Sequence, residues 1–332
     1  MRAMLLDHPS PIERSPLRLA EVPDPIPGDR EVRVRVICCA VCRTDLHVVE
    51  GDLPPQKQPV IPGHQIVGVI DQLGAGASRF RVGTRIGIAW LRHTCGKCNY
   101  CSSDRENLCP YSRYTGYHDD GGYAEFAVVH EDFAYEIPKE FEDVTASPLL
   151  CAGIIGYRAL KRTHLPEDGT LAIFGFGSSA HIILQIVRNH GNDVFVVSRS
   201  ENHQQLAREL GATWVGSDAA KMPHKTEAAI VFAPVGSVVP PALTSIAPGG
   251  VVSLAGIHMT PIPSLDYQIH LFGERDIHPV TANTREDGRQ LLAEAARAHV
   301  RPHTTIYPLQ DANRALADLK AGRIDGTAVL AV

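Results

Sequence analysis

His64 lies in the run Ile61-Pro-Gly-His-Gln-Ile-Val-Gly68, pinned between a proline, glycines and apolar residues. A single histidine beside an apolar run is ordinarily a core residue, so its company decides its meaning. Cys42 stands upstream in Cys42-Arg-Thr-Asp-Leu-His47, and Cys151 stands far downstream at the start of an apolar segment. One imidazole and two thiolates suffice as the inner shell of a catalytic zinc whose fourth position stays open. A second set, Cys95, Cys98, Cys101 and Cys109, falls within Cys-Gly-Lys-Cys-Asn-Tyr-Cys-Ser-Ser-Asp-Arg-Glu-Asn-Leu-Cys. Two-residue gaps let backbone turns aim successive sulfurs at one point, and four thiolates close a tetrahedral shell. A closed shell has no place for substrate. That metal is therefore expected to be structural, bracing a loop with almost no apolar residues of its own.

A different chemistry is written at Gly175-x-Gly177-x-x-Ala180, which leaves an apolar strand and opens a helix. Gly175 permits the tight turn, Gly177 lets the backbone approach a pyrophosphate, and Ala180 keeps helix and sheet close. The helix start then offers free N–H groups to the phosphates. An NAD site ordinarily carries a carboxylate at the end of the next strand, where it accepts bonds from the ribose hydroxyls. Here that strand ends Val196-Val-Ser-Arg-Ser200, with Ser198 in the place of the acid and Arg199 beside it. A serine leaves room for a 2′-phosphate and a guanidinium pairs with it, so NADP(H) is expected ahead of NAD(H).

The rest of the chain must position these groups. At 332 residues it fits two domains of ordinary size. A hydrophobic content of 44% and a charged content of 21% describe a soluble globular protein. A net charge of −5 gives no basic footprint for nucleic acid or an anionic membrane. No apolar run approaches the ~18 residues a membrane helix needs, and the N-terminus has too short an apolar core for a secretory signal. A cytoplasmic protein is expected. In a reducing compartment, clustered thiols point to metal rather than to disulfides. Cys38 and Cys39 have no assigned role beyond that of small buried apolar residues.

Val32-Arg-Val-Arg-Val36 alternates apolar and charged residues, the mark of a half-buried strand leading into the first cysteines. A short helix over 45–50, strands over 65–73, 84–90 and 121–129, and frequent glycine and proline turns make the first 150 residues β-rich. From Val144 the character changes. A helix over 146–161 is expected to carry Cys151 in its first half. Strands at 170–175, 193–198, 228–233, 250–255 and 275–280 then alternate with helices, which argues for a doubly wound parallel sheet. A helix from about 284 to 299 and an apolar ending at 326–332 complete the chain. The expected divisions are a β-rich catalytic domain over 1–152, a dinucleotide domain over 153–282, and a segment over 283–332 that rejoins the first.

Taken together, Cys42-Arg-Thr-Asp-Leu-His47, Gly63-His64, the four-cysteine run, Cys151 and the glycine motif resemble the zinc-containing medium-chain alcohol dehydrogenases, along essentially the whole chain. The resemblance implies an α/β two-domain protein, a GroES-like catalytic domain joined to a Rossmann domain, with the site in the cleft between them. It implies two Zn²⁺ per chain, Cys42, His64 and Cys151 ligating the catalytic ion and the four-cysteine lobe the other. By the same resemblance Thr44 and His47 form a proton relay, Asp45 orients His64, Arg43 contacts the pyrophosphate, and Trp90 is a wall of the substrate pocket. A bulky ring there favours small primary alcohols and their aldehydes; a polyol or aryl alcohol is the second choice. Aldehyde reduction in vivo and a catalytically silent zinc- and nucleotide-binding protein are the rival readings. A homodimer or homotetramer is implied. One departure stands out: the family commonly has Glu after the ligand histidine, and this chain has Gln65, a neutral amide that removes negative charge near the metal.

Overall fold

Thiols and imidazoles from distant parts of the chain meet only if rigid strands carry them, and the strand Glu31–Val41 does most of that work. In the computed structural model, which describes residues 1–332, Val32, Val34 and Val36 of this strand are buried while Arg35 on the alternate face is exposed. Beyond the alternating stretch the strand stays buried on both faces through Val41 and delivers Cys42 at its end.

The chain divides into two units, Met1–Cys151 with Ala282–Ala296 and Pro302–Val332, and Ala152–Thr281 with Arg297–Arg301. The tail thus packs with the N-terminal unit except for Arg297–Arg301. In that first unit, Glu31–Val41 pairs antiparallel with Gln65–Leu73, Phe126–His130 and Thr327–Ala331. The last of these sets Ala328 against Val41, so the C-terminal strand braces the stretch immediately before Cys42. Gln65–Leu73 continues the sheet to Arg85–Ile88 and Ala134–Glu136. Ile66, Ile86, Ile88, Leu91 and Tyr123 fill the core beneath it.

The second unit holds a six-stranded, wholly parallel sheet. Its order is Trp214–Gly216, Asp193–Val197, Thr170–Phe174, Thr226–Val231, Ile246–Leu254 and Asp276–Pro279. Numbered by sequence, that is 3-2-1-4-5-6, the doubly wound dinucleotide-binding order. The first strand is entirely buried, as a continuous apolar run requires.

The helix expected over 146–161 is broken. Asp143–Ala146 is a short α-helix, Ser147–Leu150 a 3₁₀ turn, and Ala152–Lys161 a separate α-helix. Pro148 removes a backbone donor and favours the tighter turn. Cys151 therefore sits in the break, with φ −136° and ψ −70°, rather than within a helix. The helix Ala312–Lys320 and the strand Thr304–Pro308 were not expected from the sequence pattern.

Candidate functional site

Cys42 caps the helix Arg43–Glu50, its sulfur accepting a hydrogen bond from the Thr44 N–H at 3.3 Å. Asp45, three residues on, accepts the Cys42 N–H at 2.9 Å with one oxygen, the reciprocal half of a capping box. Its other oxygen lies 2.9 Å from His64 Nδ1. The same buried carboxylate thus starts the helix and fixes the ring of a histidine on another segment. With Nδ1 engaged, His64 presents Nε2 to the Cys42 sulfur at 3.4 Å.

His64 is held by the loop before it. Gly121, Gly122 and Tyr123 donate backbone N–H groups to the carbonyls of Ile61, Gly63 and Pro62. Gly63 has φ +96°, and a Cβ there would stand 2.3 Å from the Tyr123 ring, so only glycine fits. Ser147 gathers the remaining pieces. Its buried hydroxyl accepts the Ala40 N–H at 2.7 Å and donates to the Gln65 carbonyl at 2.5 Å. One side chain thereby ties the strand before Cys42, the residue after His64 and the turn before Cys151.

The ligand atoms of Cys42, His64 and Cys151 all lie within 4.8 Å of one another, as do those of Cys95, Cys98, Cys101 and Cys109. All eight cysteines are free thiols. Desolvation opposes charge on His64, yet the Asp45 carboxylate and the Cys42 sulfur outweigh it and raise the imidazole to about 10. Cys42 is raised well above the usual thiol value, by the adjoining Cys151 and by burial. In the four-cysteine lobe the Lys97 backbone N–H leads in pulling Cys95 down to about 6, while desolvation pushes Cys101 up to about 11. Burial pushes Cys38 up to about 12 and Cys39 well above its usual value, which makes both inert.

Residues 28–139 match the alcohol dehydrogenase GroES-like domain, and residues 179–297 match the zinc-binding dehydrogenase family. A probable alcohol dehydrogenase of Mycobacterium tuberculosis is 49% identical over 337 residues, covering 100% of this chain and 97% of that protein. The chain belongs to the zinc-containing medium-chain alcohol dehydrogenases. An alcohol dehydrogenase of Geobacillus stearothermophilus is 36% identical, covering 96% of this chain and 97% of its own. Among solved structures, a cinnamyl alcohol dehydrogenase from Sorghum bicolor superposes with a TM-score of 0.88 at 26% identity, covering 99% and 97% of the two chains. The protein is a zinc-dependent alcohol dehydrogenase that works with a nicotinamide dinucleotide.

For that family the remaining residues fall as follows. Thr44 is buried on the first turn of Arg43–Glu50, Arg43 is exposed beside it, and His47 sets Nδ1 2.7 Å from Asp52 Oδ2. Asp52 was not singled out by the sequence. Gly175 has φ +84°, and a Cβ on it would crowd Ala233. A Cβ on Gly177 would meet nothing within 4 Å, so its hydrogen leaves room above the start of the helix Ser178–Asn189. No side chain caps that helix, and Ala180 is buried against the sheet. Such an uncapped, uncrowded helix start suits a pyrophosphate. His181, outside the motif's letters, is buried in the first turn with Nδ1 3.1 Å from the Gly177 carbonyl. Ser198 directly follows the second strand and is buried; Arg199 beside it is exposed. Gln65 is fully buried, and neither atom of its amide has a protein partner.

Proposed function

We propose that this enzyme transfers hydride between a small primary alcohol, or its aldehyde, and NADP(H), with two zinc ions per chain. In this reading Cys42, His64 and Cys151 hold the catalytic ion and Cys95, Cys98, Cys101 and Cys109 hold a structural one. The observation that carries it is the convergence of three distant donors with a carboxylate behind the histidine. When bound, the zinc supplies a Lewis acid that acidifies the alcohol and the nicotinamide supplies the hydride acceptor. The chain's own groups do the rest. Asp45 keeps the proton of His64 on Nδ1 and so leaves the Nε2 lone pair for metal. The Thr44 N–H steadies the Cys42 sulfur as a thiolate. The Thr44 hydroxyl takes the substrate proton out of the buried site, and His47 carries it toward solvent at the half-exposed end of the same helix. Asp52 orients His47 by holding its Nδ1. Arg43, Gly175, Gly177 and Ala180 serve the pyrophosphate, and Ser198 with Arg199 the 2′-phosphate. Trp90 narrows the substrate site. A homodimer or homotetramer is the assembly this reading expects.

An aryl alcohol is the second reading, favoured by the likeness to the sorghum cinnamyl alcohol dehydrogenase. One experiment covers both: metal analysis of the purified enzyme, then ethanol and benzyl alcohol with each cofactor. The expected result is two zinc ions per chain and a lower KM for NADP than for NAD. A KM for NAD equal to or below that for NADP would remove the Arg199 argument. Absence of reduced nicotinamide with every combination would leave a silent binding protein instead.

A further inference from the structure

Trp90 follows the strand Arg85–Ile88, and its indole meets the His64 ring edge-on, with centroids 5.0 Å apart and planes at 72°. It is therefore a neighbour of the metal-site imidazole by geometry. Two further rings lie against it. Tyr114 stacks on the indole at 4.8 Å with planes 10° apart, and Tyr117 at 5.9 Å with planes 22° apart. Both tyrosines come from the stretch just after the four-cysteine run, and each is anchored independently. Tyr114 pairs with Leu91 in a short antiparallel ladder, and the next residue, Thr115, donates its N–H to the Trp90 carbonyl at 2.9 Å. The Thr115 hydroxyl also donates to the Ala89 carbonyl at 2.8 Å. Tyr117 donates its phenol to the Pro54 carbonyl at 2.7 Å. His118 meets both tyrosines, at 5.4 Å and 4.8 Å, and closes the cluster.

Left alone, a tryptophan side chain moves about two torsions and can swing to admit a wider ligand. Stacking on two anchored rings removes that freedom, because any rotation of the indole must break face-to-face contact. We propose that Tyr114 and Tyr117 are positioning residues that hold Trp90 as a fixed wall beside His64, and that this clamp restricts the enzyme to narrow alcohols and aldehydes. The proposal rests on the alcohol dehydrogenase reading of the site, with substrate beside the His64 metal. It assigns a specificity role to two residues outside both clusters of candidate metal ligands. It also means that the segment following the four-cysteine lobe reaches the substrate site through one stacked side chain.

The chain has two tryptophans, so Trp214→Phe leaves Trp90 as the sole indole reporter. In that zinc-loaded parent, Trp90 fluorescence is expected to show no fast local depolarisation and weak quenching by acrylamide. Tyr114→Leu and Tyr117→Leu keep an apolar side chain but remove the stack. Each is expected to increase quenching of Trp90 and to raise kcat/KM for benzyl alcohol relative to ethanol on the order of 10-fold. Tyr114→Phe, which keeps the ring, is expected to behave as the parent. Trp90→Ala should move the benzyl-to-ethanol ratio further in the same direction. Leucine variants that fold, yet leave both quenching and the ratio unchanged while Trp90→Ala shifts the ratio, would overturn the clamp. Fast local motion of Trp90 in the folded Trp214→Phe parent would overturn it without any change to the tyrosines. A parent that turns over no alcohol would overturn the underlying reading, and the quenching comparison would still decide whether the tyrosines hold the indole.

Discussion

The two thiol clusters of this chain are built in opposite ways. Cys95, Cys98, Cys101 and Cys109 lie within fifteen residues, on turns and short 3₁₀ segments at the surface of the first unit. Leu108 and Tyr111 beside them are exposed, so little core holds the loop in place. Cys42, His64 and Cys151 are spread over 110 residues, yet Cys42 follows one buried strand, His64 precedes another, Cys151 follows a buried 3₁₀ turn, and the Ser147 hydroxyl ties these segments together before any ion arrives. A metal at the first cluster should therefore make structure, whereas at the second, structure should make the metal site. That difference accords with the proposed roles, a structural ion among four sulfurs and a catalytic ion on three donors.

The largest expected effect is on turnover. Cys42→Ser alters a proposed ligand of the pre-formed site and should lower kcat by about 10³-fold or more, since a Lewis acid there would supply several kcal/mol to the transition state. Its melting temperature should stay near that of the parent; a collapse in thermal stability would erase the contrast between the clusters. Next is Cys98→Ala, expected to release one zinc per chain and to cost on the order of 5 kcal/mol of stability. Limited proteolysis should then cut within 95–109, and an uncut, equally stable variant would show that the lobe stands without metal.

Ser147→Ala sharpens the comparison from the other side. It strands the Ala40 N–H and the Gln65 carbonyl in a dry interior, costing about 2 kcal/mol. Because it loosens all three ligand-bearing segments, it should weaken zinc at the open site by about 10- to 100-fold, read by competition with a chelating dye. Zinc in the four-cysteine lobe should be untouched.

The smallest effect concerns Glu106, which stands between Cys101 and Cys109 and binds Arg285 at 2.7 Å while accepting the Arg285 backbone N–H at 2.7 Å. Desolvation works against its charge, but the Arg285 guanidinium and N–H prevail and hold the carboxyl below its usual 4.5. The stabilisation is therefore complete above pH ~4.5 and is lost as pH falls through the depressed value. Glu106→Gln should lower stability by about 2 kcal/mol at pH 7, measured by urea denaturation, with the gap to the parent closing in acid. A gap that widens in acid would contradict the assignment.

Legibility followed the same division. The four-cysteine cluster could be read from spacing alone, because its geometry is local. The strands of the second unit, and the turn at Gly175, were legible because continuous apolar runs and a glycine needing positive φ are also local signals. Cys151 was misplaced inside a helix because Pro148 tightens the preceding turn and the break follows from packing against Ala40 and Gln65. His64 was proposed as a ligand from its company of two thiols, whereas the proposed role of Asp45 came through the family resemblance. Nothing local marks Ser147, Tyr114 or Tyr117. Their partners lie 107, 24 and 27 positions away, and only the tertiary fold brings them together. The helix Ala312–Lys320 and the strand Thr304–Pro308 escaped for the same reason, since the strand takes its place only by pairing with Thr327–Ala331 at the edge of the first unit's sheet.

Zinc-edge anomalous diffraction from crystals of the zinc-loaded enzyme tests the central claim most directly. Two peaks per chain are expected, one inside the four-cysteine lobe and one about 2.3 Å from the sulfurs of Cys42 and Cys151 and about 2.0 Å from Nε2 of His64. A fully occupied lobe with no density between those three side chains, at any zinc concentration the crystal withstands, would contradict it.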